Sequence, residues 1–339
     1  MNILIIGGGL FGTVIAKTLS ENKNNKITIC ELSNTLLSGA SKNNHNRVHL
    51  GFHYPRSVET ALQSLDGLAS FFINFKDAIF TKFKSYYMIA KDDSKVSPEE
   101  YIEFCDIINV FYKEEFPTID INKQKIIASF LTEEPVFDFN IMKNIILTKI
   151  TNKENIEIQL NKEIKTIEDC KNFDVVINTT YSNINKIHNI FNVNNINLRL
   201  QDVFIPIIEL NNEPVGLTIL DGNFCSIMPL GFEKNKFLLY HVRESVIDEQ
   251  VGFVYIDKKN VIDYNNLINK SKEYYSFLER CTYLDSYRSV RALPVNDNDE
   301  RLTECFIDEI QNTKLITVVA GKVSTCWSTA YKIRKMLNK

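Results

Sequence analysis

Three glycines near the start of the sequence have the spacing of a phosphate-binding turn. Gly7, Gly9 and Gly12 form G-x-G-x-x-G between an apolar run, Asn2–Ile6, and a stretch with helical spacing, Phe11–Leu19. In this context the first glycine permits the tight turn, the second lets the backbone approach a pyrophosphate, and the third lets the helix pack on the strand. The amides and partial positive charge of the helix N-terminus favour phosphate oxygens. The pattern predicts a bound dinucleotide; a βαβ unit that uses its glycines only for packing is the alternative.

An acidic residue supports the dinucleotide interpretation. Lys26–Glu31 is predicted as the second strand, and Glu31 closes it at the position where a carboxylate accepts hydrogen bonds from a ribose. Leu32 and the two polar residues after it carry no positive charge for a 2′-phosphate, so NADP is not expected.

Three histidines recur at intervals of four residues in the long polar segment Ser33–Ser57. His45, His49 and His53 would share one face of a helix and could then bind a metal. A glycine and a proline within the segment argue against a helix, and no carboxylate lies among the histidines, so no metal site is predicted. Loops of this length in a compact domain are usually functional. Histidines that bond only to backbone are the structural alternative.

Composition and charge narrow the class of protein. With 339 residues the chain can bury a large core and is expected to form two domains. A net charge of −3 gives no long-range attraction to nucleic acid or to an anionic membrane. No apolar stretch is long enough to span a bilayer, and no signal peptide is expected. The seven cysteines lack C-x-x-C spacing, which indicates free thiols in the cytoplasm rather than a zinc site or disulfides.

Strand patterns predict how these residues are positioned. Buried parallel strands are expected at both ends and in the middle of the chain, with Phe173–Asn178 and Lys314–Val319 among them. Ile156–Leu160 and Ile164–Glu168 are predicted as a further pair of strands. Between residues 198 and 242, four strands joined by short polar turns predict an antiparallel meander. The sequence therefore predicts a nucleotide domain built from discontinuous pieces and a substrate domain formed by two insertions.

Seven segments of the sequence together resemble one known family. They are IIGGGLFG, LLSGASKNNHNRVHLGFHY after Glu31, IEIQLNKEIKTIE, FDVVINTTY, SIMPLGFEKNKFLLYHVRES, VRALP and AGKVSTCWSTAYKI. These segments resemble the FAD-dependent oxidoreductases of the D-amino-acid oxidase and glycine oxidase type. Within this family, a chain that carries the motif N-R-V-H-x-G-x-H-Y-P-R-S is similar to the members associated with bacterial surface polysaccharides.

The resemblance implies an α/β fold, with a Rossmann-like FAD-binding domain and an inserted antiparallel-sheet substrate domain. The expected FAD-binding domain comprises residues 1–80, 138–197 and 289–339, and the substrate domain comprises residues 81–137 and 198–288.

The resemblance also implies where FAD binds. Its adenosine half would lie on the glycine turn and Glu31, and its flavin ring between the loop 41–51 and the turn 321–324. The residues expected to form the cofactor site are Gly7, Gly9, Leu10, Phe11, Gly12, Glu31, Leu32, Ser41, Asn46, Arg47, Val48, Ile164, Thr179, Gly321, Lys322, Val323 and Ser324. Lys322, or the positive end of the final helix, would stabilise negative charge on the reduced flavin. A solvated Lys322 is the alternative.

One arginine matches the carboxylate-binding arginine of the family. Arg291 in VRALP occupies that position, and its planar, bidentate geometry suits a carboxylate. The alternatives are a surface salt bridge of Arg291 with Asp297 or Asp299, or a clamp formed by Arg243 or Arg288 instead.

Arg291, His49 and His53 form the predicted catalytic set. One of the two histidines is expected beside the flavin or the substrate, and covalent attachment of the flavin to a histidine is a further alternative. Ser226 stands where the family often has a substrate-binding tyrosine, which argues against a simple amino acid as the substrate.

The sequence therefore predicts a cytoplasmic FAD-dependent oxidoreductase, either an oxidase or a dehydrogenase. It would oxidise an amine or alcohol carbon of a small, carboxylate-bearing substrate by hydride transfer to the flavin, in surface-polysaccharide or amino-sugar metabolism. A small-molecule substrate is the expected partner, without nucleic acid or a membrane span. The alternatives are an NAD-dependent dehydrogenase, a flavin-dependent sugar-nucleotide isomerase or mutase without net redox, and a nucleotide-binding module without turnover.

Overall fold

The computed structural model describes residues 1–252, 261–296, 300–310 and 313–338. The strands are β1 Asn2–Ile6, β2 Lys26–Cys30, β3 Ile79–Phe80, β4 Lys84–Ala90, β5 Lys113–Glu114, β6 Ile126–Thr132, β7 Val136–Phe137, β8 Ile156–Gln159, β9 Val175–Asn178, β10 Leu198–Glu209, β11 Val215–Leu220, β12 Cys225–Pro229, β13 Lys236–His241, β14 Val246–Val251, β15 Thr282–Pro294, β16 Glu304–Ile310 and β17 Thr313–Val319. The helices are α1 Leu10–Leu19, α2 Val58–Phe75, α3 Pro98–Ile107, α4 Phe139–Thr151, α5 Ile184–Phe191, α6 Tyr264–Lys272 and α7 Cys326–Leu337. Asp297 and Asp299, the predicted alternative partners of Arg291, lie outside the described residues.

The N-terminal strand lies near the centre of a six-stranded sheet. The strand order is β16-β17-β9-β1-β2-β8, and all neighbours are parallel except the hairpin β16–β17. Strands β1 and β9 are apolar runs because helices cover both faces of the sheet. Helices α1, α2, α4 and α7 pack on one face around Phe75 and Trp327, and α5 packs on the other through Ile187 and Phe191. This arrangement confirms the predicted Rossmann-like domain.

A second, nine-stranded sheet comes from the two insertions. Its order is β14-β10-β13-β12-β11-β4-β6-β5, and β15 pairs with β10. Its pairs are antiparallel except for β4 and β11, which run parallel. The β4 side chains show how both faces are buried, because Tyr86 joins the cluster that includes α6 residues and Tyr87 joins the cluster that includes α3 residues.

Two predictions about strands were wrong. Residues Ile164–Glu168 do not form a strand; Ile167–Cys170 is a 3-10 helix, because Thr166 and Asp169 form a capping box at its start. The predicted meander holds only for β11, β12 and β13, because β10 pairs with β13, β14 and β15 instead of β11. A strand of 12 residues such as β10 offers two long edges, and its partners depend on tertiary packing rather than on sequence proximity. The predicted domain boundary between residues 288 and 289 falls within β15.

The two sheets meet at the carboxyl edge of the parallel strands. Strands β1, β2, β9 and β17 all end at this edge, which is where open α/β sheets bind their ligands.

Candidate active site

A cavity of about 1100 Å³ opens between the two sheets. One wall carries the residues that follow the parallel strands, namely Gly7 after β1, Glu31 after β2, Thr179 after β9 and Ala320 after β17. The facing wall comes from β10, β12, β13 and β15. Typical small-molecule pockets have volumes of roughly 300–1,000 Å³. The space therefore suits a ligand of dinucleotide size together with a smaller molecule.

Close backbone contacts explain two of the motif glycines. Gly7 has φ of +105°, and a Cβ at this position would lie 2.8 Å from the carbonyl oxygen of Thr179. A Cβ on Gly12 would lie 2.0 Å from the carbonyl oxygen of Gly7, so α1 approaches the turn more closely than any side chain permits. Gly7 and Gly9 line the cavity, whereas Gly12 lies behind the wall as a packing residue.

Glu31 is fixed at the edge of the cavity by backbone amides. The amide of Gly8 donates to Glu31 Oε2 at 2.7 Å, and the amide of Ser33 donates to Oε1 at 2.8 Å. Each carboxylate oxygen keeps a second lone pair, so the side chain can still accept bonds from a ligand. We call the part of the cavity around Gly7, Gly9, Glu31 and Thr179 the glycine end.

Ser41 ties the long loop to the glycine turn. Helix α1 has no side-chain cap from its own N-cap residue, Gly9. The amide of Leu10 donates instead to Ser41 Oγ at 2.9 Å. A Cβ on Gly9 would lie 3.2 Å from the same oxygen. The loop residue therefore satisfies an amide that the first turn of a helix otherwise leaves open.

Most of the predicted site residues meet at this cavity. Those that line it are Gly7, Gly9, Leu10, Phe11, Glu31, Leu32, Ser41, Arg47, His49, His53, Ile164, Thr179, Arg291, Gly321, Lys322 and Val323. Gly12, Asn46, Val48 and Ser324 are not in the wall. Ser324 packs behind it, because a Cβ on Gly67 of α2 would lie 2.7 Å from its carbonyl oxygen.

Asn46 and Val48 support the wall through their backbones. The amide of Phe137 donates to the carbonyl of Asn46 at 2.8 Å, and the amide of Val48 donates to the carbonyl of Pro135 at 2.9 Å. Arg47 lies between these two bonds and forms an isolated bridge with Val136. The loop is therefore attached to β7 as a short strand would be, and this holds the Arg47 side chain at the cavity.

The turn before α7 is built around Gly321. A Cβ there would lie 1.9 Å from the carbonyl oxygen of Arg301. Thr303 Oγ1 accepts a bond from the Gly321 amide at 2.9 Å. The next residue, Lys322, is only 7% exposed; its ammonium lies 3.7 Å from the centroid of the Tyr54 ring and donates to the Tyr54 hydroxyl. This burial overturns the alternative of a solvated lysine.

The three histidines and Lys322 define what we call the histidine end. The rings of His49 and His53 line the cavity, and their centroids are 5.5 Å apart. His45 Nε2 lies 2.8 Å from the carbonyl oxygen of Leu238 on β13. The segment is not helical, and no group of three His, Cys, Asp or Glu side chains within the described ranges is arranged to hold a metal.

Burial keeps these rings neutral at neutral pH. Desolvation, together with the charge of Arg47, lowers the pKa of His45 to about 3. Desolvation also lowers the pKa of His49 to about 4, although Glu134 opposes the shift. The pKa of His53 is lowered well below its ordinary value by burial and then by Arg47. Neutral rings offer one donor and one acceptor nitrogen each.

A buried carboxylate behind the histidines was missed by the sequence reasoning. Glu134 lies between β6 and β7 and is 1% exposed. Arg47 Nη1 lies 3.0 Å from Glu134 Oε2 and 3.0 Å from the hydroxyl of Tyr87, which also donates to the carboxylate. The amide of Leu50 donates to Oε1 at 3.0 Å. The available signal was the second of two adjacent acids, directly before a proline and between two apolar strands.

Ionisation of Glu134 is supported by its neighbours. Burial alone would raise the pKa of this carboxyl, but His49, Arg47 and the Tyr87 hydroxyl together hold the pKa below its ordinary value. Arg47 is always charged, so the carboxylate stays ionised even while His49 is neutral.

Arg291 lies on the facing wall and is held by a neutral side chain. Its Nε and Nη2 atoms lie 3.0 and 2.5 Å from Gln201 Oε1 on the paired strand β10. Its guanidinium carbon lies 5.5 Å from the centroid of the Tyr240 ring. Tyr240 and Ser226 also line the cavity, and the described residues offer the buried Tyr240 hydroxyl no hydrogen-bond partner. Within the described ranges the guanidinium is hydrogen-bonded only to Gln201, so it has further N–H groups for a ligand.

The alternative arginines are less suited to a clamp. Arg288 lines the cavity, but it forms a bidentate pair with the fully buried Asp202, with Nη2 2.6 Å from Oδ2. Arg243 is exposed and does not line the cavity.

Comparison with solved structures confirms that the fold is that of the D-amino-acid oxidase and glycine oxidase type. Glycine oxidase from Geobacillus kaustophilus superposes with a TM-score of 0.73 at 12% identity, covering 99% of this chain and 94% of that one. L-α-glycerophosphate oxidase from Mycoplasma pneumoniae, solved with FAD bound, gives a TM-score of 0.73 at 14% identity, covering 100% and 94%. At these identities the likeness establishes the fold.

Curated relatives extend the comparison to sequence. The chain is 22% identical over 359 residues to the FAD-dependent monooxygenase FPY4 of Fusarium mangiferae, covering 98% of this chain and 90% of the relative. It is 25% identical over 256 residues to the FAD-dependent monooxygenase kojA of Aspergillus flavus, covering 68% and 58%. No protein-family model matches the sequence. No helix in the described part of the chain is long and apolar enough to cross a membrane.

Proposed function

We propose that this protein is an FAD-dependent oxidoreductase that oxidises an amine or alcohol carbon of a small, carboxylate-bearing substrate. The observation that carries the proposal is one continuous cavity that includes both the glycine end and the histidine end. A nucleotide bound at the first would place its far portion beside His49, His53, Lys322 and Arg291. The names of the solved neighbours, which include oxidases of glycine and of glycerophosphate, support this class of reaction.

The residues present fit FAD. Gly7 and Gly9 line the cavity, the φ of Gly7 and its contact with Thr179 admit no side chain there, and α1 begins directly at this turn. Glu31 keeps acceptor lone pairs for a ribose. Leu32 and Ile164 provide apolar surface at the same end, with Ile164 only 3% exposed.

When bound, the flavin supplies the two-electron chemistry by accepting a hydride from the substrate carbon. Arg291 would bind the substrate carboxylate through the N–H groups that Gln201 does not use. The bonds to Gln201 and the stacking on Tyr240 hold the guanidinium in one plane, so the chain itself orients the substrate.

The residues of the histidine end would stabilise negative charge and bind the amine or hydroxyl group of the substrate. Lys322, buried against Tyr54, places a positive charge at the cavity where negative charge develops during reduction. His49 and His53 are neutral and can accept a hydrogen bond from an amine or hydroxyl group of the substrate.

A role in surface-polysaccharide or amino-sugar metabolism and a cytoplasmic location remain part of the proposal. All seven cysteines are free thiols, which supports a reducing compartment.

A second candidate is a flavin monooxygenase. It is favoured by the relatedness of nearly the whole chain to FPY4, which is described as a monooxygenase. The two candidates differ in the fate of oxygen, because a monooxygenase places one oxygen atom in its product whereas an oxidase releases hydrogen peroxide.

The visible spectrum tests the proposal first. Purified protein should be yellow, and a panel of glycine, D- and L-amino acids and amino sugars, added without oxygen, should include a compound that bleaches the flavin band. Colourless protein that takes up no added FAD would contradict the proposal. Bleaching followed by peroxide release in air supports the oxidase, whereas label from ¹⁸O₂ in the product supports the monooxygenase.

A further inference from the structure

The carboxylate of Glu134 faces one cavity histidine and not the other. Glu134 Oε1 lies 3.5 Å from His49 Nδ1, and the described residues offer this nitrogen no hydrogen-bonded partner. His53 Nδ1 is likewise buried without a partner, but no described acid is paired with it. Two histidines that the sequence could not distinguish therefore have different surroundings.

The orientation of His49 leaves one edge of its ring accessible. The residue lines the cavity and its side chain is 17% exposed, whereas Nδ1 is buried. Nε2 is not among the buried atoms that lack a partner, and no hydrogen bond to it is formed by the described residues, so this nitrogen lies on the accessible edge.

Backbone bonds fix the carboxylate relative to the histidine loop. The bonds of Asn46 and Val48 to the segment 135–137 lie on both sides of Arg47. The amide of Leu50 donates to Glu134 Oε1, the same oxygen that faces His49. The carboxylate cannot move away from His49 without breaking these contacts. A gap of 3.5 Å is long for a hydrogen bond, and such contacts often shorten only when the ligand is bound.

We propose that Glu134 is a positioning residue that holds His49 as the Nδ1–H tautomer, which leaves the Nε2 lone pair facing the cavity as the proton acceptor for the substrate. The inference rests on the proposed oxidation of an amine or alcohol. In that reaction the N–H or O–H proton of the substrate passes to His49 Nε2, while the C–H hydrogen leaves with its electron pair to the flavin. The substrate thereby loses one proton and one hydride, and the ionised carboxylate stabilises the imidazolium.

The charges around His49 support this assignment. Those that face it are Glu134 between β6 and β7, Lys322 before α7, and Arg47, His45 and His53 on its own loop. Burial, Lys322 and Arg47 favour the neutral ring, and Glu134 favours the protonated one. The ring is therefore a free acceptor at neutral pH, and Glu134 is the group that offsets the cost of protonating it.

The tautomer of His49 can be measured directly by NMR in the holoenzyme. Long-range ¹H–¹⁵N spectra of protein labelled at its five histidines, assigned with His49→Gln and His53→Gln, should show Nδ1 of His49 protonated and Nε2 bare between pH 6 and 8. A bare Nδ1, or rapid averaging between the two tautomers, would overturn the proposal. The readout does not depend on turnover, and the flavin spectrum of the same sample reports separately on the proposed function.

Two variants separate positioning from structure. Glu134→Leu leaves Arg47 buried and unpaired, so the double variant Arg47→Met/Glu134→Leu is the folded background of choice. In the double variant, the single-tautomer pattern of His49 should be lost. The His188 signals are the internal control and should stay unchanged, because that ring is hydrogen-bonded to Asn194 and Thr317. An unchanged His49 pattern in this variant would show that Glu134 does not position the ring.

The rate of flavin reduction separates the two histidines. With any compound that bleaches the flavin, His49→Gln should slow reduction about 100-fold and His53→Gln less than about 10-fold. Equal decreases in rate would contradict the different roles of the two rings.

Discussion

The two ends of the cavity are built by different means. At the glycine end the contacts are made mainly by backbone, including the close approaches of Gly7 and Gly12 and the amides that bind Glu31. At the histidine end the contacts are made by side chains. They include the buried Arg47–Glu134 ion pair, the Lys322 ammonium stacked on Tyr54, and the neutral imidazole of His49. In the proposed oxidoreductase the first arrangement would bind the pyrophosphate of the cofactor, and the second would select the reaction.

This difference predicts how each end responds to substitution. A backbone-built site fails when a side chain obstructs it. A side-chain-built site fails when a charge loses its partner, and it can be partly restored by removing the second charge as well.

The largest effect is expected from breaking the Arg47–Glu134 pair. Arg47→Met or Glu134→Leu alone should lower the free energy of unfolding by ~3–5 kcal/mol, because each leaves a buried charge without its partner. The double variant should recover most of that loss. Urea denaturation of the four proteins measures the coupling, and strictly additive losses would show that the pair does not act as a unit.

Removing the clamp should affect the substrate more than the fold. Arg291→Leu is expected to weaken binding of a carboxylate substrate about 10- to 100-fold, because a charge-assisted bidentate contact contributes roughly 1.5–3 kcal/mol. The matched control is Arg243→Leu, at an exposed arginine outside the cavity. Half-saturation in steady-state kinetics is the measurement, and equal values for both variants would exclude the clamp.

The glycine end should be sensitive to a single methyl group. Gly12→Ala places a Cβ 2.0 Å from a backbone oxygen, so it should cost roughly 1–3 kcal/mol and reduce the bound flavin. Gly39→Ala is the control, since a Cβ there meets nothing within 4 Å although the residue lines the same cavity. The ratio of flavin to protein absorbance after purification compares the two. Full flavin content in Gly12→Ala would contradict the close packing of α1 on the turn.

The smallest effect of a single substitution is expected for the pH dependence of stability. Desolvation lowers the pKa values of His45 and His49 to about 3 and about 4, so between these values and about 6.5 the unfolded chain binds protons that the folded chain does not. Stability should therefore fall as the pH drops from 7 to 5, by roughly 1–2 kcal/mol per ring. In His45→Gln, which keeps a donor for Leu238, the urea midpoint should depend less on pH; an unchanged dependence would show that this ring titrates normally.

The fold around the glycine turn could be predicted from the sequence because its signals are local. The strand, the glycine spacing and Glu31 all fall within the first βαβ unit, and each follows from a backbone requirement. Gly321 was also accessible, since it follows an apolar strand and precedes a helix.

The histidine end and the facing wall could not be fully predicted because their contacts join distant parts of the chain. Glu134 meets Arg47 across 87 positions, and Gln201 meets Arg291 across 90. Neither pair has a periodicity that marks it, and two acids before a proline are typical of an ordinary surface loop. The pairing of β10 with β15 rather than β11 is of the same kind, because it depends on which apolar faces pack together.

The attachment of the loop at two points has a consequence for evolution and for engineering. Ser41 is bonded to the start of α1, and Asn46 and Val48 are bonded to the segment 135–137. In the proposed oxidoreductase, the few residues between these attachments would set the distance from the cofactor pyrophosphate to the reacting groups. Side chains along β12, β13 and β15 can therefore be exchanged to change the substrate, whereas an insertion or deletion between residues 41 and 46 should abolish catalysis while leaving both ends individually intact.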